Sequence, residues 1–343
     1  MFRSIREVSC RMPRELCVWR AELSGGEQVI YDALLEAMSE KKTEVTVPWF
    51  FGADPGRILN AVSRDQPMLF FVDFGKTVWT NSSIGSTTVR WEPRMGPAEA
   101  DIMIRRLDRK LRQLRLPSGG TQLQRELCVH NLLPRLNVVS APGSGTWEDH
   151  TIVGPLLLGH TVCEGMSRLF CLLCAMCGVE ARYVSGTASN ALEKGPHAWN
   201  IVRLGSTYAH VDAYWDAHIG LCRGRYFAYD YFNLDGRAMR LDHSWDEEKY
   251  PACTDRYSYF RLCGAEVQDM EALETLSIPR IVPWQKGDTR GYLQARVRGS
   301  VDAGRLTEVL QKRYRSFAPA RFFYTYRDAQ GVVEVALREE QDG

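Results

Sequence analysis

Cys163, His197 and Asp212 follow one another in the chain, and they supply the side chains that a nucleophilic enzyme needs. A thiolate attacks a carbonyl carbon, an imidazole takes and returns the proton, and a carboxylate fixes the tautomer of the imidazole. A lone cysteine is usually a small buried hydrophobe, and a lone histidine a satisfied strand residue. Here each residue sits inside its own local motif. These read Cys163-Glu-Gly-Met-Ser167, His197-Ala-Trp-Asn200 and His210-Val-Asp-Ala-Tyr-Trp-Asp216.

Positioning them requires a helix and a sheet. Leu169, Phe170, Leu172, Leu173, Ala175 and Met176 form a helix-length apolar run that ends at Gly178, a natural residue for the left-handed turn after a helix. Cys163 therefore falls at a helix N-terminus, where unpaired N–H groups and the helix dipole favour an anion such as a thiolate. Val179 to Val184 predicts a strand ending at Ser185-Gly186. Ala198 to Leu204 and Tyr208 to Tyr214 predict two more strands around a Gly205-Ser206-Thr207 turn. His197 then opens one strand, and His210 and Asp212 share a face of its neighbour.

The three motifs resemble those of the transglutaminase-like superfamily of papain-type cysteine enzymes. Tyr231-Phe-Asn-Leu-Asp235 and His243 resemble the segment that follows the Asp motif in its bacterial members. The resemblance is close from about 121 to 245 and looser from about 26 onward. It implies Cys163 as nucleophile, His197 as general base and acid, and Asp212 as the residue orienting His197. Met166 stands where an aromatic is usual in the family.

Other constellations are weaker. Cys171, Cys174 and Cys177 are spaced by three on one helix, so Cys177 has rotated away and the three thiols do not converge on an ion. Buried helix cysteines are the expectation. The seven histidines form no H-x-x-x-H pattern, and no glycine-rich phosphate loop is present. No metal and no cofactor are expected. His210 reads as a packed strand residue, and Trp199 and Trp215 shield the imidazole. Trp199, Trp215 and Tyr231 are taken as substrate-binding candidates.

With a net charge of +1, the chain has no general affinity for nucleic acid or membrane. The basic face of the 97–114 helix reads as solvated. No long apolar run predicts a membrane span, and Arg and Glu interrupt residues 1–20 before a secretory core forms. Ten free thiols in a reducing cytoplasm are then the expectation.

The fold class expected is α+β, with a papain-like core between an N-terminal α/β region and a small C-terminal α+β unit. The divisions are 1–120, 121–275, a 276–289 linker and 290–343. The C-terminal unit carries no catalytic signature and is expected to be separable from catalysis. Val138 to Asp149 reads as a loop beside the site, and residues 217–260 as an aromatic-rich segment.

The function expected is acyl transfer on a protein or peptide amide through a Cys163 thioester. Water as acceptor gives a peptidase, amidase or deamidase, and an amine gives a transglutaminase. The absence of a calcium-loop pattern favours hydrolysis. The alternative from another class is a binding or scaffold protein that keeps the fold without turnover. Loss of Cys, His or Asp would mark it, and all three are present.

Overall fold

The computed structural model describes residues 12–83, 85–136, 138–139, 145–189, 194–222, 228–276, 282–283, 291–314, 321–327 and 330–338. Its first helix, α1 (Val18–Ala21), lies where Cys17-Val18-Trp19 predicts an edge strand. The reason is tertiary: the backbone N–H groups of Trp19 and Arg20 donate to the distant Asp65 carboxylate at 3.1 and 2.8 Å. Next comes α2 (Gly25–Ser39), started by a capping box in which Ser24 and Glu27 satisfy each other's backbone N–H. β1 (Glu44–Pro48) follows, then α3 (Pro55–Asp65), whose Asp54 cap accepts from Gly56 and Arg57 ahead of a first-turn proline. β2 (Val72–Ser83) and β3 (Ser86–Pro93) complete an antiparallel sheet in the order β1-β3-β2. α4 (Pro97–Gln113) buries Ala100, Leu107 and Leu111 and turns Arg105, Arg106 and Arg109 to solvent, as its amphipathic pattern predicts.

The central part contains α5 (Gln122–Leu136), the short strands β4 (Val138–Val139) and β5 (His160–Thr161), and then α6 (Cys163–Met176). A second sheet follows, built from β6 (Ala181–Ser189), β7 (Lys194–Leu204) and β8 (Thr207–Val211). The chain continues through α7 (Ala213–Cys222), β9 (Phe232–Leu234), α8 (Gly236–Met239) and β10 (His243–Ser244). The strands pair antiparallel in the order β10-β6-β7-β8-β9, with β7 at the centre. The arrangement is α+β and papain-like: a helix carrying Cys163 packs on an antiparallel sheet carrying His197.

Three expectations change here. β6 continues through Ser185 and Gly186 to Ser189, because β10 and β7 flank it on both edges. β7 starts at Lys194, so His197 lies inside a strand, opposite Gly186. A Cβ at Gly186 would overlap the Ser244 carbonyl oxygen, so a side chain there would push β10 away from β6. β8 ends at Val211, and Tyr214 and Asp216 are helical.

The last part holds α9 (Tyr259–Leu262), β11 (Glu266–Val267), α10 (Met270–Thr275), β12 (Val282–Pro283), β13 (Gly291–Val297), α11 (Ala303–Tyr314), β14 (Arg321–Arg327) and β15 (Val332–Arg338). The strand, helix, strand, strand order after 290 is the expected one. β11 pairs parallel with β13, and Met270 and Leu273 pack with Val297, Leu306 and Val309. The C-terminal layer thus begins upstream of the 276–289 linker, most of which lies outside the described residues. Part of the 138–149 loop, and Tyr226 and Phe227 of the aromatic segment, also lie outside them.

One hydrophobic core joins α1 to α8, centred on Trp199, Phe170, Tyr31 and Phe232. Among the described residues no helix is long and apolar enough to cross a membrane.

Candidate active site

Cys163 is the first residue of α6 and is half-buried. The preceding Val162 makes no side-chain cap, so the first-turn N–H groups of α6 have no partner within the helix. Gly165 lets this helix end press on the chain beneath it, because a Cβ there would overlap the Asp149 carbonyl oxygen. Two cross-ties fix α6 on β7. Ser167 Oγ donates to the Ala198 carbonyl at 3.0 Å, and Asn200 Nδ2 donates back to the Ser167 carbonyl at 3.0 Å. The last residue of the His197 motif thereby grips the last residue of the Cys163 motif. Sequence reading gives Ser167 and Asn200 no role, although both stand in the quoted motifs.

His197 Nε2 donates to Asp212 Oδ2 at 2.7 Å, and both side chains are buried. That leaves Nδ1 toward Cys163, whose side chain lies close enough to raise the His197 pKa. Burial alone would depress the His197 pKa. The Asp212 charge and hydrogen bond outweigh it, the Cys163 contact adds to them, and the pKa is pushed up to about 10. His197 therefore faces Cys163 as an imidazolium at neutral pH. Burial opposes ionisation of Asp212 too, but the two imidazoles beside it hold its carboxyl well below the usual range.

Asp212 also caps a helix. Its Oδ1 accepts from the Tyr214 and Trp215 backbone N–H groups, each at 3.0 Å, at the start of α7. Its Oδ2 accepts from His243 Nε2 at 3.1 Å as well as from His197. Four donors thus fill the two oxygens. The structure brings Cys163, His197 and Asp212 together and adds His243, which sequence reading placed in a family-like segment without a role.

Trp199, Trp215 and Tyr231, the expected substrate-binding residues, are buried. Trp199 and Trp215 pack on the His197 ring with centroids 6.1 and 5.1 Å away, and Tyr231 Oη donates to Asp242 Oδ2 at 2.6 Å. They pack as a wall beside the imidazoles. His210 is a packed strand residue: burial pushes its pKa down to about 3, and its Nδ1 accepts from Trp199 Nε1 at 3.1 Å.

Open space borders the first turns of α6. A cavity of about 390 Å³ is lined by Phe70, Phe74, Trp147, His150, Glu164 and Arg168. Burial works against the Glu164 charge, yet His150 at 2.9 Å and Arg168 at 2.8 Å hold its pKa down to about 2. A second cavity of about 780 Å³ is lined by Trp19, Arg57, Arg64, Arg182, Lys249 and Tyr250. Arg64 and Arg168 both lie over the Tyr183 ring, at 5.8 and 5.1 Å.

Among the described residues the ligand-type atoms of His197, Asp212 and His243 lie within 4.8 Å of one another. At 2.7 and 3.1 Å the contacts of Asp212 with the two imidazoles are hydrogen bonds, and all three side chains are buried. The Cys171, Cys174 and Cys177 thiols are buried, and burial pushes Cys171 and Cys177 up to about 12 and about 11.

Residues 135–213, which contain Cys163, His197 and Asp212, match the sequence profile of the transglutaminase-like superfamily. That segment of the chain is similar to the transglutaminase-like superfamily. No curated protein matches the chain. Solved structures similar to this chain include one described as a TGase, at 9% identity and a TM-score of 0.29, covering 50% of each chain. A candidate cysteine protease from Cytophaga hutchinsonii has 10% identity and a TM-score of 0.26, covering 40% of this chain and 61% of its own. A candidate protease from Parabacteroides distasonis has 9% identity and a TM-score of 0.27, covering 78% and 62%. The alignments span 50 to 62% of the length of these structures.

Proposed function

We propose that this protein is a thiol-dependent acyl-transfer enzyme acting on a peptide bond or a glutamine side-chain amide. The observation that carries the reading is the Cys163–His197–Asp212 array: a half-buried thiol at a helix N-terminus beside an imidazolium that is held at 2.7 Å by a buried carboxylate.

The chemistry follows from the protonation states. The sulfur of Cys163 attacks the amide carbon, and the first-turn N–H groups of α6 stabilise the developing oxyanion. His197 gives its proton to the leaving nitrogen, the C–N bond breaks, and a thioester remains on Cys163. Neutral His197 then takes a proton from water or from a second amine, which attacks the thioester and releases the thiolate. Asp212 stays ionised throughout and keeps the imidazole in register. The half-open cavity lined by Trp147, His150 and Glu164 holds the acyl donor in this reading, because Glu164 follows Cys163 on the same helix turn. Hydrolysis is the outcome favoured, as the chain carries no calcium-loop pattern.

The test is incubation with a peptide library, with and without a primary amine, read by mass spectrometry. Cleavage or a deamidation shift supports hydrolysis, and amine incorporation supports transamidation. A library left unchanged by the wild-type protein, together with a Cys163 no more reactive toward iodoacetamide than Cys263, overturns the reading.

A further inference from the structure

Behind the array lies a second histidine–carboxylate pair. His243 is fully enclosed, and both of its ring nitrogens face carboxylates: Nε2 at 3.1 Å from Asp212 Oδ2 and Nδ1 at 2.6 Å from Asp242 Oδ1. Its ring is wedged between Trp215 and Trp199, with centroids 4.4 and 4.9 Å away. Asp242 is fixed in turn. Its Oδ2 accepts from Tyr231 Oη at 2.6 Å and from Gln330 Nε2 at 3.3 Å. Gln330 is buried in the turn before β15, so it belongs to the C-terminal layer, and the same amide donates to the Ala238 carbonyl at 3.3 Å. A continuous hydrogen-bonded chain therefore runs from Gln330 through Asp242, His243 and Asp212 to His197, beside Cys163.

The physical consequence concerns Asp212. Three of its donors, His197 and two backbone N–H groups, leave one acceptor direction of Oδ2 free. For a buried carboxylate an unsatisfied lone pair is costly, and it can be recovered only by moving away from His197. His243 fills that direction. It also resists displacement, since Asp242 anchors its far side.

We propose that His243 is a positioning residue for the Cys163–His197–Asp212 array, set by Asp242, and that Gln330 makes the C-terminal layer part of the active-site support. The inference rests on the acyl-transfer reading above. It revises the expectation that the C-terminal unit is separable from catalysis.

The experiment is the rate of iodoacetamide alkylation of Cys163 in the full-length protein, followed by peptide mapping, with a melting curve for each variant. His243→Phe keeps the ring in its aromatic slot and removes both nitrogens. His243→Gln keeps a donor toward Asp212. We expect His243→Phe to slow alkylation at least tenfold, His243→Gln to recover most of that loss at a similar melting temperature, and Gln330→Leu to slow it several-fold. A purely structural role would follow melting temperature and would not distinguish Gln from Phe. Wild-type rates in His243→Phe, or equal rates in the Phe and Gln variants, overturn the proposal. Should His243→Phe fail to fold, Asp242→Asn and Gln330→Leu carry the test, and wild-type rates in both overturn it. A wild-type Cys163 that alkylates no faster than Cys263 has a separate meaning: it removes the acyl-transfer reading, and this inference falls with it.

Discussion

His130 Nε2 lies 3.0 Å from Asp216 Oδ2, and both side chains are fully buried beneath the site. The pair decides between two carboxylates that stand four residues apart. Asp216 also accepts the Tyr231 backbone N–H at 3.1 Å, and burial raises its pKa, whereas Asp212 is held ionised against His197. Asp216 therefore braces α5 against α7, and Asp212 serves the imidazole.

The first prediction follows from that division. Asp212→Asn keeps the size of the side chain but removes the charge that makes His197 an imidazolium, and its amide can hold the wrong tautomer. By analogy with other triads, turnover should fall by a factor on the order of 10²–10⁴. Alkylation of Cys163 at pH 7 should slow as well. Asp216→Asn should lower the melting temperature and leave the alkylation rate within a few-fold of wild type. The measurement is single-site alkylation in both variants, and the opposite ranking would transfer the orienting role to Asp216.

The second concerns the thiols. Cys163→Ala should abolish thioester formation with the fold intact, since the remaining described thiols lie away from His197. Cys171 sits against Asn200 Nδ2 at 3.2 Å and is buried, so Cys171→Ala should cost about 1–2 kcal/mol in a denaturant titration, as small core deletions do. Loss of turnover in Cys171→Ala at an unchanged midpoint would contradict its packing role.

These contrasts show what the sequence makes legible. The Cys163 helix is readable because its apolar run ends at a glycine, and Gly178 indeed adopts a positive φ of 68°. His197 and Asp212 are readable because their motifs stand at the edges of β-rich runs. α7 is not readable: it is apolar on all sides, so Tyr208 to Tyr214 alternates like one strand, and the turn into the helix is made by the Asp212 side chain. The His243 pair escapes sequence reading for a different reason. Its partner Asp212 is 31 residues away and Gln330 is 88 residues beyond Asp242, and no local pattern encodes such pairings. Trp199, Trp215 and Tyr231, assigned to substrate from the sequence, are buried in the structure.

The third prediction tests the C-terminal layer from another side. Arg296 of β13 is buried, donates to the Asp230 carbonyl at 2.5 Å and lies over the Phe260 ring at 4.9 Å. Burial pulls its pKa down to about 10, so it still enters the core as a cation, within the field of Glu266 and Asp216. Arg296→Met removes that cation and leaves the buried Asp230 carbonyl without this donor, which typically costs about 1–3 kcal/mol. A chemical-denaturation midpoint equal to wild type would show that Arg296 does not tie the layers together.

The fourth prediction is a pH dependence of stability. Glu126 of α5 is fully buried with only Asn233 Nδ2, at 3.1 Å, against its Oε2, and burial raises its pKa from 4.5 to about 8. Above pH 4.5 the unfolded chain releases this proton while the folded protein keeps it, so stability declines as pH rises until about 8. His197 acts with the same sign at higher pH. Its folded pKa of about 10 exceeds the ordinary 6.5, so its contribution is complete below 6.5 and is lost as pH climbs toward 10. Asp65, raised by burial to about 7, adds to the decline only up to that pH. His210 is depressed to about 3 and has the opposite sign, but it acts below 6.5. Between pH 7 and 8 Glu126 and His197 both lower stability as pH rises, each with a slope of about 1.4 kcal/mol per pH unit at most, and the burial-raised Asp216 acts in the same sense. The thermal midpoint should fall across this interval. Glu126→Gln preserves an acceptor for Asn233 and cannot ionise, so it should make the slope shallower. The check is a set of melting curves at constant ionic strength for wild type and Glu126→Gln, and an identical slope in the two proteins would mean that Glu126 is already ionised in the folded core.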